Sequence, residues 1–341
     1  MKAAVFRGVE EVEVTDVPKP ELDPGEVLIC VGYCGICGSD LEAFHTGMYE
    51  PGLIIGHEFS GTLAAIGSGV AGWQIGDRIV VSDALPCGEC VPCRQGRLDA
   101  CASLTMIGVT HDGGLAEYAR IAARGLHRLP DNVTLRRGAL VEPLSVALHG
   151  VRRSRLKAGD DALIMGAGPI GLLTLQCARL AGARRLIVTE VDPTRAALAD
   201  RLGATAVLNP MHDNVSVALA DLTNGLGPEV IYVCTGAPAP FRDAVSLVRK
   251  GGQIFVLGVC VEPVDMDFMT VVLSDLCIEG SLAGRAEVPA AIDFIAHDRV
   301  KVDALISHEI ALDDIVTHGF MPLSTPGSGA IKILVRLGGE A

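Results

Sequence analysis

The stretch Ala162-Leu-Ile-Met-Gly166-Ala-Gly168-Pro169-Ile170-Gly171 decides how this chain is read. Asp161–Met165 reads as a strand and Ile170–Ala181 as a helix. A lone G-x-G-x-x-G is a weak signal, but between a strand and a helix it is a dinucleotide loop. Gly166 permits the tight turn. Gly168 lets a pyrophosphate approach the backbone at the helix N-terminus, where N–H groups and the dipole favour an anion. Gly171 lets helix and strand pack closely. The next strand, Arg185–Thr189, leads to Glu190, 24 residues beyond Gly166. A carboxylate there accepts hydrogen bonds from adenosine ribose hydroxyls and repels a 2′-phosphate. Val191 follows it and is not basic, so NAD is expected over NADP. The plainer alternative for Glu190 is a solvated strand end.

Outward from this loop the rhythm continues. A helix at Thr194–Leu202, a strand at Ala206–Leu208, a helix at 214–223, a strand at Val230–Val233, a helix at Ala239–Leu247 and a strand at Gln253–Leu257 make parallel βαβ units. Upstream the pattern differs. Glu26–Gly32, Ser60–Ile66 and Asp77–Val81 are short strands bounded by turn residues. Beyond about 285 come a helix at 288–297 and strands ending in Ile331–Arg336. The expected class is α/β: a Rossmann doubly wound parallel sheet at 146–284, inserted in a β-rich domain formed by 1–145 and 285–341.

The 341 residues are 49% hydrophobic and 20% charged, which excludes a disordered chain. The net charge is −13 and no basic cluster stands out, which argues against nucleic acid and anionic membrane as partners. The most membrane-like stretch, 162–178, carries Gly166, Gly168, Pro169 and Gly171 and reads as strand, loop and helix. The start lacks the long apolar run of a signal peptide. Eleven cysteines in such a chain point to a reducing compartment, so a cytoplasmic protein is expected.

Cys87, Cys90, Cys93 and Cys101 lie in a lobe at about 84–105 with the spacing C-x2-C-x2-C-x7-C. Four thiolates so spaced can close a tetrahedron around one zinc ion, leaving no position for substrate. Ordinary buried cysteines and an iron–sulfur cluster are the alternatives. A second set is mixed: Cys37 in Cys34-Gly-Ile-Cys37-Gly-Ser39-Asp40, then Gly56-His57-Glu58. Thiolate, imidazole and carboxylate are ligands of an open, catalytic zinc. Cys34 and Cys37 alone would pass for a redox pair, and His57 alone for a core histidine.

Taken together these motifs resemble the zinc-dependent medium-chain alcohol dehydrogenases. Gly113-Gly-Leu-Ala-Glu-Tyr118 and Glu142-Pro-Leu add to the likeness. Leu140-Val-Glu142-Pro-Leu-Ser-Val-Ala-Leu-His149 and Gly56-His-Glu-Phe-Ser-Gly61 are most similar to the polyol (sorbitol) and 2,3-butanediol dehydrogenases. The resemblance implies a GroES-like catalytic domain and two zinc ions per chain. It implies that Cys37, His57 and Glu142 ligate the catalytic zinc, with Glu58 a transient ligand or just outside. Ser39 matches the hydroxyl that takes the substrate proton, and Asp40 a group that orients a zinc-bound histidine. Pro169, Ile170, Arg195 and Val259 join the cofactor-contacting set. Glu42 stands where many relatives carry a relay histidine, and Cys234 where similar enzymes often carry glutamate. The implied activity is hydride transfer between a secondary alcohol, a vicinal diol or polyol, and NAD. Threonine as substrate, and a non-catalytic nucleotide-binding protein of the same fold, are the alternatives. A homodimer or homotetramer is implied, associating through a strand near Leu276–Leu282.

Overall fold

The computed structural model describes residues 1–338. The chain divides into two compact units: Met1–Ser145 together with the segment from Arg285 onward, and Val146–Gly284.

The second unit is built on a six-stranded, all-parallel sheet. Its spatial order is Ala206–Leu208, Arg185–Thr189, Asp161–Met165, Val230–Val233, Gln253–Val256 and Cys277–Gly280. Ala162, Leu163, Ile164, Ile231 and Val233 are fully buried. Strands covered on both faces read as unbroken apolar runs, which is why these segments are legible in the sequence. The strand order reverses beside Asp161–Met165, whose carboxyl end runs into Gly166; ligands bind at such a switch point in open α/β sheets. At its start, Asp161 accepts bonds from Arg184 at 2.6 Å and Arg185 at 3.0 Å, fixing two neighbouring strand ends.

The first unit holds a seven-stranded sheet centred on Glu26–Gly35 and Glu58–Ile66. The late strand Lys332–Arg336 pairs antiparallel with Glu26–Gly35, placing Leu334 opposite Gly35. Val27, Ile29, Val31, Phe59, Leu63 and Ile79 form its core. Each such side chain contributes about 1.5–3 kcal/mol on burial. A helix at Gly38–Thr46 was not expected from the strand-like reading of this region. It is short and polar, so no apolar period announces it. Asp40 closes a capping box at its start, and Gly47 ends it at φ 75. Among the described residues no helix is long and apolar enough to cross a membrane.

Candidate active site and metal centres

Strand Glu26–Gly35 carries the chain to Cys37, the residue that caps the helix Gly38–Thr46. The Cys37 N–H donates to Asp40 Oδ2 at 3.0 Å, so the thiol's backbone is fixed by its own helix. Ser39 and Glu42 lie three residues apart on that helix and share a face. The buried Tyr49 phenol sits beside Ser39, and burial pushes its pKa well up. Sequence reasoning had not singled out Tyr49.

His57 immediately precedes strand Glu58–Ile66. Gly56, at φ 95, makes the approach possible: a Cβ there would lie 2.9 Å from Cys34 Sγ. The Cys37 Sγ, a His57 ring nitrogen and a Glu58 carboxylate oxygen all fall within 4.8 Å of one another. His57 and Glu58 are buried, at 6% and 1% exposure. His57 Nδ1 faces Asp40 Oδ1 at 4.0 Å, too long for a hydrogen bond, and both buried atoms lack a partner. Burial disfavours the imidazolium, but the Cys37 thiolate, Asp40 and Glu142 outweigh it and draw the His57 pKa well above the usual range.

Glu142 is the second residue of helix Val141–Arg153 and is buried. Its carboxylate lies outside the compact trio. Desolvation, and then the neighbouring Asp83, hold its pKa far above the usual carboxyl value, against the pull of His57. Asp83 is equally buried, and its pKa is raised by burial against the opposing pull of His57. Four buried acids, Asp40, Glu58, Asp83 and Glu142, thus gather around one thiol and one imidazole. Buried negative charge and orphaned polar atoms of this kind fit a divalent cation, and the thiolate and imidazole favour zinc. Asp83 and Lys332 are the members of this neighbourhood that sequence reasoning missed. Asp83 gave no local signal. Lys332 gave one: a lysine opening the apolar strand Lys332–Arg336.

The four-cysteine lobe grows from a two-stranded neck, Ala84–Leu85 with Thr105–Met106. All four Sγ atoms lie within 4.8 Å of one another. Cys87–Cys101, Cys90–Cys101 and Cys87–Cys93 are separated by 3.5, 3.9 and 4.0 Å. A tetrahedron of ~2.3 Å zinc–sulfur bonds has edges of about 3.8 Å. Backbone N–H groups of Cys87 and Ser103 donate to Cys101 Sγ, and that of Cys90 to Cys87 Sγ. Backbone donors, with those of Ala102 and Cys93 foremost, also hold the Cys90 thiol down at about 6. All eleven cysteines are free thiols. The residues fit a closed, structural zinc.

In the second unit, Gly168 caps the helix Pro169–Leu180 with no side-chain bond, and a Cβ on it would meet open space. Gly166 adopts φ 98, and a Cβ on Gly171 would strike Gly166 O at 1.9 Å. This cradle fits a pyrophosphate at the N-terminus of a helix whose second residue is Ile170. The Glu190 carboxylate is buried and already engaged. Oε2 accepts from Ala167 N–H at 2.6 Å, and Oε1 from Val191 and Asp192 N–H at 2.8 and 2.9 Å. It is held as part of the loop, not left as a solvated strand end. Val191 is exposed, Arg195 lies in the helix Pro193–Arg201, and Val259 is exposed beyond strand Gln253–Val256. The Cys234 thiol lies 3.9 Å from Thr174 Oγ1, and burial pushes it up to about 12.

A glycine cradle at the switch point of a parallel sheet, carried in one chain with an open mixed donor set and a closed thiolate set, is the arrangement of a zinc-binding dehydrogenase. The family model described as "Zinc-binding dehydrogenase" matches residues 169–297, and that described as "Alcohol dehydrogenase GroES-like domain" matches 23–131. Sorbitol dehydrogenase of Bacillus subtilis is 32% identical over 92% of this chain and 91% of its own. (R,R)-butanediol dehydrogenase of the same organism is 33% identical over 98% and 99%. A solved putative zinc-binding dehydrogenase from Sinorhizobium meliloti, bound to NADP, superposes with a TM-score of 0.90 at 33% identity, covering 98% of each chain. The chain belongs to the zinc-dependent medium-chain alcohol dehydrogenase family, in its polyol and butanediol dehydrogenase group. It is an oxidoreductase that uses zinc and NAD(P).

Proposed function

We propose that this enzyme oxidises the secondary hydroxyl of a vicinal diol or polyol, such as 2,3-butanediol or sorbitol, with NAD as acceptor. The observation that carries the reading is the buried convergence of Cys37, His57 and Glu58 beside Glu142. Cys37 and His57, with Glu58 or Glu142 as the carboxylate, would hold the catalytic zinc, which would supply a Lewis acid that acidifies an alcohol. NAD, when bound, supplies the hydride acceptor. Ser39 takes the hydroxyl proton and passes it toward Glu42, one turn along the same helix. Asp40 braces the backbone of Cys37 and faces His57. The glycine loop and Glu190 hold the dinucleotide, with Arg195 and Val259 near it.

Glu190 supports NAD: a 2′-phosphate would meet a carboxylate fixed by three backbone N–H groups. A cytoplasmic setting is supported by the free thiols. A homodimer or homotetramer is supported by the edge strand Cys277–Gly280. That strand ends its sheet beside the exposed apolar residues Phe268, Met269, Val272 and Leu273.

The test is NAD reduction by the zinc-loaded protein across diols, sugar alcohols, simple secondary alcohols and threonine. Turnover with diols or sugar alcohols above the others is expected. Turnover confined to threonine, or none at all, would overturn the reading.

A further inference from the structure

Helix Gly38–Thr46 ends at Gly47, whose left-handed backbone, at φ 75, turns the chain back. The segment that follows is pinned to the first strand, Lys2–Gly8. Gly52 N–H donates to Phe6 O at 2.8 Å, and Phe6 N–H donates to Leu53 O at 2.9 Å. Tyr49 lies within this return. It is 4% exposed, and its ring meets Phe6 edge-on with centroids 6.1 Å apart. The ring so held places its hydroxyl beside Ser39, in the neighbourhood of Asp40 and Cys37.

That hydroxyl is buried and makes no hydrogen bond, although the Ser39 hydroxyl stands next to it. Buried hydroxyls are normally paired, and one left unpaired costs free energy. Burial also keeps the phenol protonated, so what it offers is a donor. The missing partner is an acceptor, and a substrate can bring one. In the proposed reaction the reacting hydroxyl lies against Ser39. In a vicinal diol with its oxygens gauche, the second oxygen stands about one hydrogen-bond length from the first. A donor next to Ser39 therefore meets it. A simple secondary alcohol puts a hydrocarbon group there and leaves the phenol unpaired.

We propose that Tyr49 is a specificity-determining residue: its hydroxyl donates to the substrate oxygen on the carbon next to the one oxidised, and so selects vicinal diols and polyols over simple secondary alcohols. This rests on the reading of Ser39 as the group that meets the reacting hydroxyl. A buried polar group left without its partner is an effective means of rejecting the analogue that lacks it.

Tyr49→Phe removes one oxygen and keeps the ring, so the packing on Phe6 survives. The test compares full-length, zinc-loaded wild type and Y49F. Each is assayed with the diol or polyol that the wild type turns over best, and with its analogue lacking the hydroxyl next to the reacting carbon. For 2,3-butanediol that analogue is 2-butanol. The ratio of kcat/KM for the diol over that for the analogue should fall about 10-fold or more in Y49F, the scale of one hydrogen bond to a buried group. The loss should appear chiefly in the KM for the diol. The thermal midpoint of the free enzyme should hold or rise, because no bond within the protein is lost. An unchanged ratio in Y49F would overturn the proposal, whether neither alcohol is affected or both fall equally; an equal fall would assign Tyr49 to the proton path through Ser39. A lowered thermal midpoint would also overturn it, by making the hydroxyl part of the fold. So would a wild type equally efficient with the two alcohols. A wild type that turns over no diol or polyol would instead overturn the proposed function, and this inference with it.

Discussion

Ser39 and Glu190 each make a polar atom available where the proposed chemistry needs one. Ser39 is the second residue of a short helix whose cap is Cys37 itself, so thiol and hydroxyl are positioned by the same turn. Ser39→Ala is expected to cut kcat by about 100-fold or more, within the span of positioned proton transfer. Glu42→Gln should act less on kcat than on its pH profile. Wild-type turnover by Ser39→Ala in a steady-state assay would show that the proton leaves another way, with Tyr49 the next group to test. Glu190 has three of its roughly four acceptor sites filled by the loop, so it is rigid before the ribose arrives. The expected preference for NAD is on the order of 100-fold in kcat/KM, about 2.7 kcal/mol. Glu190→Ala should erode it chiefly by raising the KM for NAD, and adding Val191→Arg should move it toward NADP. Equal efficiency with both cofactors in the wild type would point to Arg195 as a phosphate partner. Because Glu190 also binds Ala167 N–H, its replacement should loosen the glycine loop too, which the ribose argument alone does not foresee.

The two candidate metal sites separate at the scale of elements. The lobe hangs from a neck of two residue pairs and leaves Val91 exposed, so its order is expected to depend on what its thiolates bind. The Cys37–His57 set is embedded in strands and a capped helix that pack without it. Cys90→Ser should therefore lose one zinc and lower the thermal midpoint. Cys37→Ser or His57→Ala should lose the other zinc and turnover, with the thermal midpoint held far more closely. Metal analysis and calorimetry of the three variants decide this; one zinc per chain in the loaded wild type would contradict it. The helix Gly38–Thr46 shows why elements differ in legibility. Its start is set by a side chain, Asp40, returning to the Cys37 N–H, and such a capping contact leaves no periodic trace. The parallel strands are the opposite case, since burial on both faces writes itself as consecutive apolar residues.

For the whole molecule, Phe268, Met269, Val272 and Leu273 near the edge strand Cys277–Gly280 are a run of exposed apolar side chains. Light scattering should report at least a dimer. Charged replacements at Val272 and Leu273, both more than 70% exposed, should shift it toward monomer without changing the far-ultraviolet spectrum. A monomeric wild type would remove the association reading.

The glycine loop, the Rossmann strands, the four-cysteine spacing and the Cys37 and His57 motifs were legible in sequence because each is local: a turn, a period or a ligand spacing within a few residues. The identity of the neighbours was not. Asp83 reaches the surroundings of His57 across 26 positions, and Lys332 reaches Glu58 across 274. Glu142 could be named from its motif, but not its raised pKa, which comes from desolvation and from Asp83. The chain's own order thus determined which groups could bind a metal and a dinucleotide. Only the sheet, by laying Lys332–Arg336 and Glu58–Ile66 on either side of Gly35, decided which carboxylate is tied down, because the ion pair that ties it is made between strands and not along one.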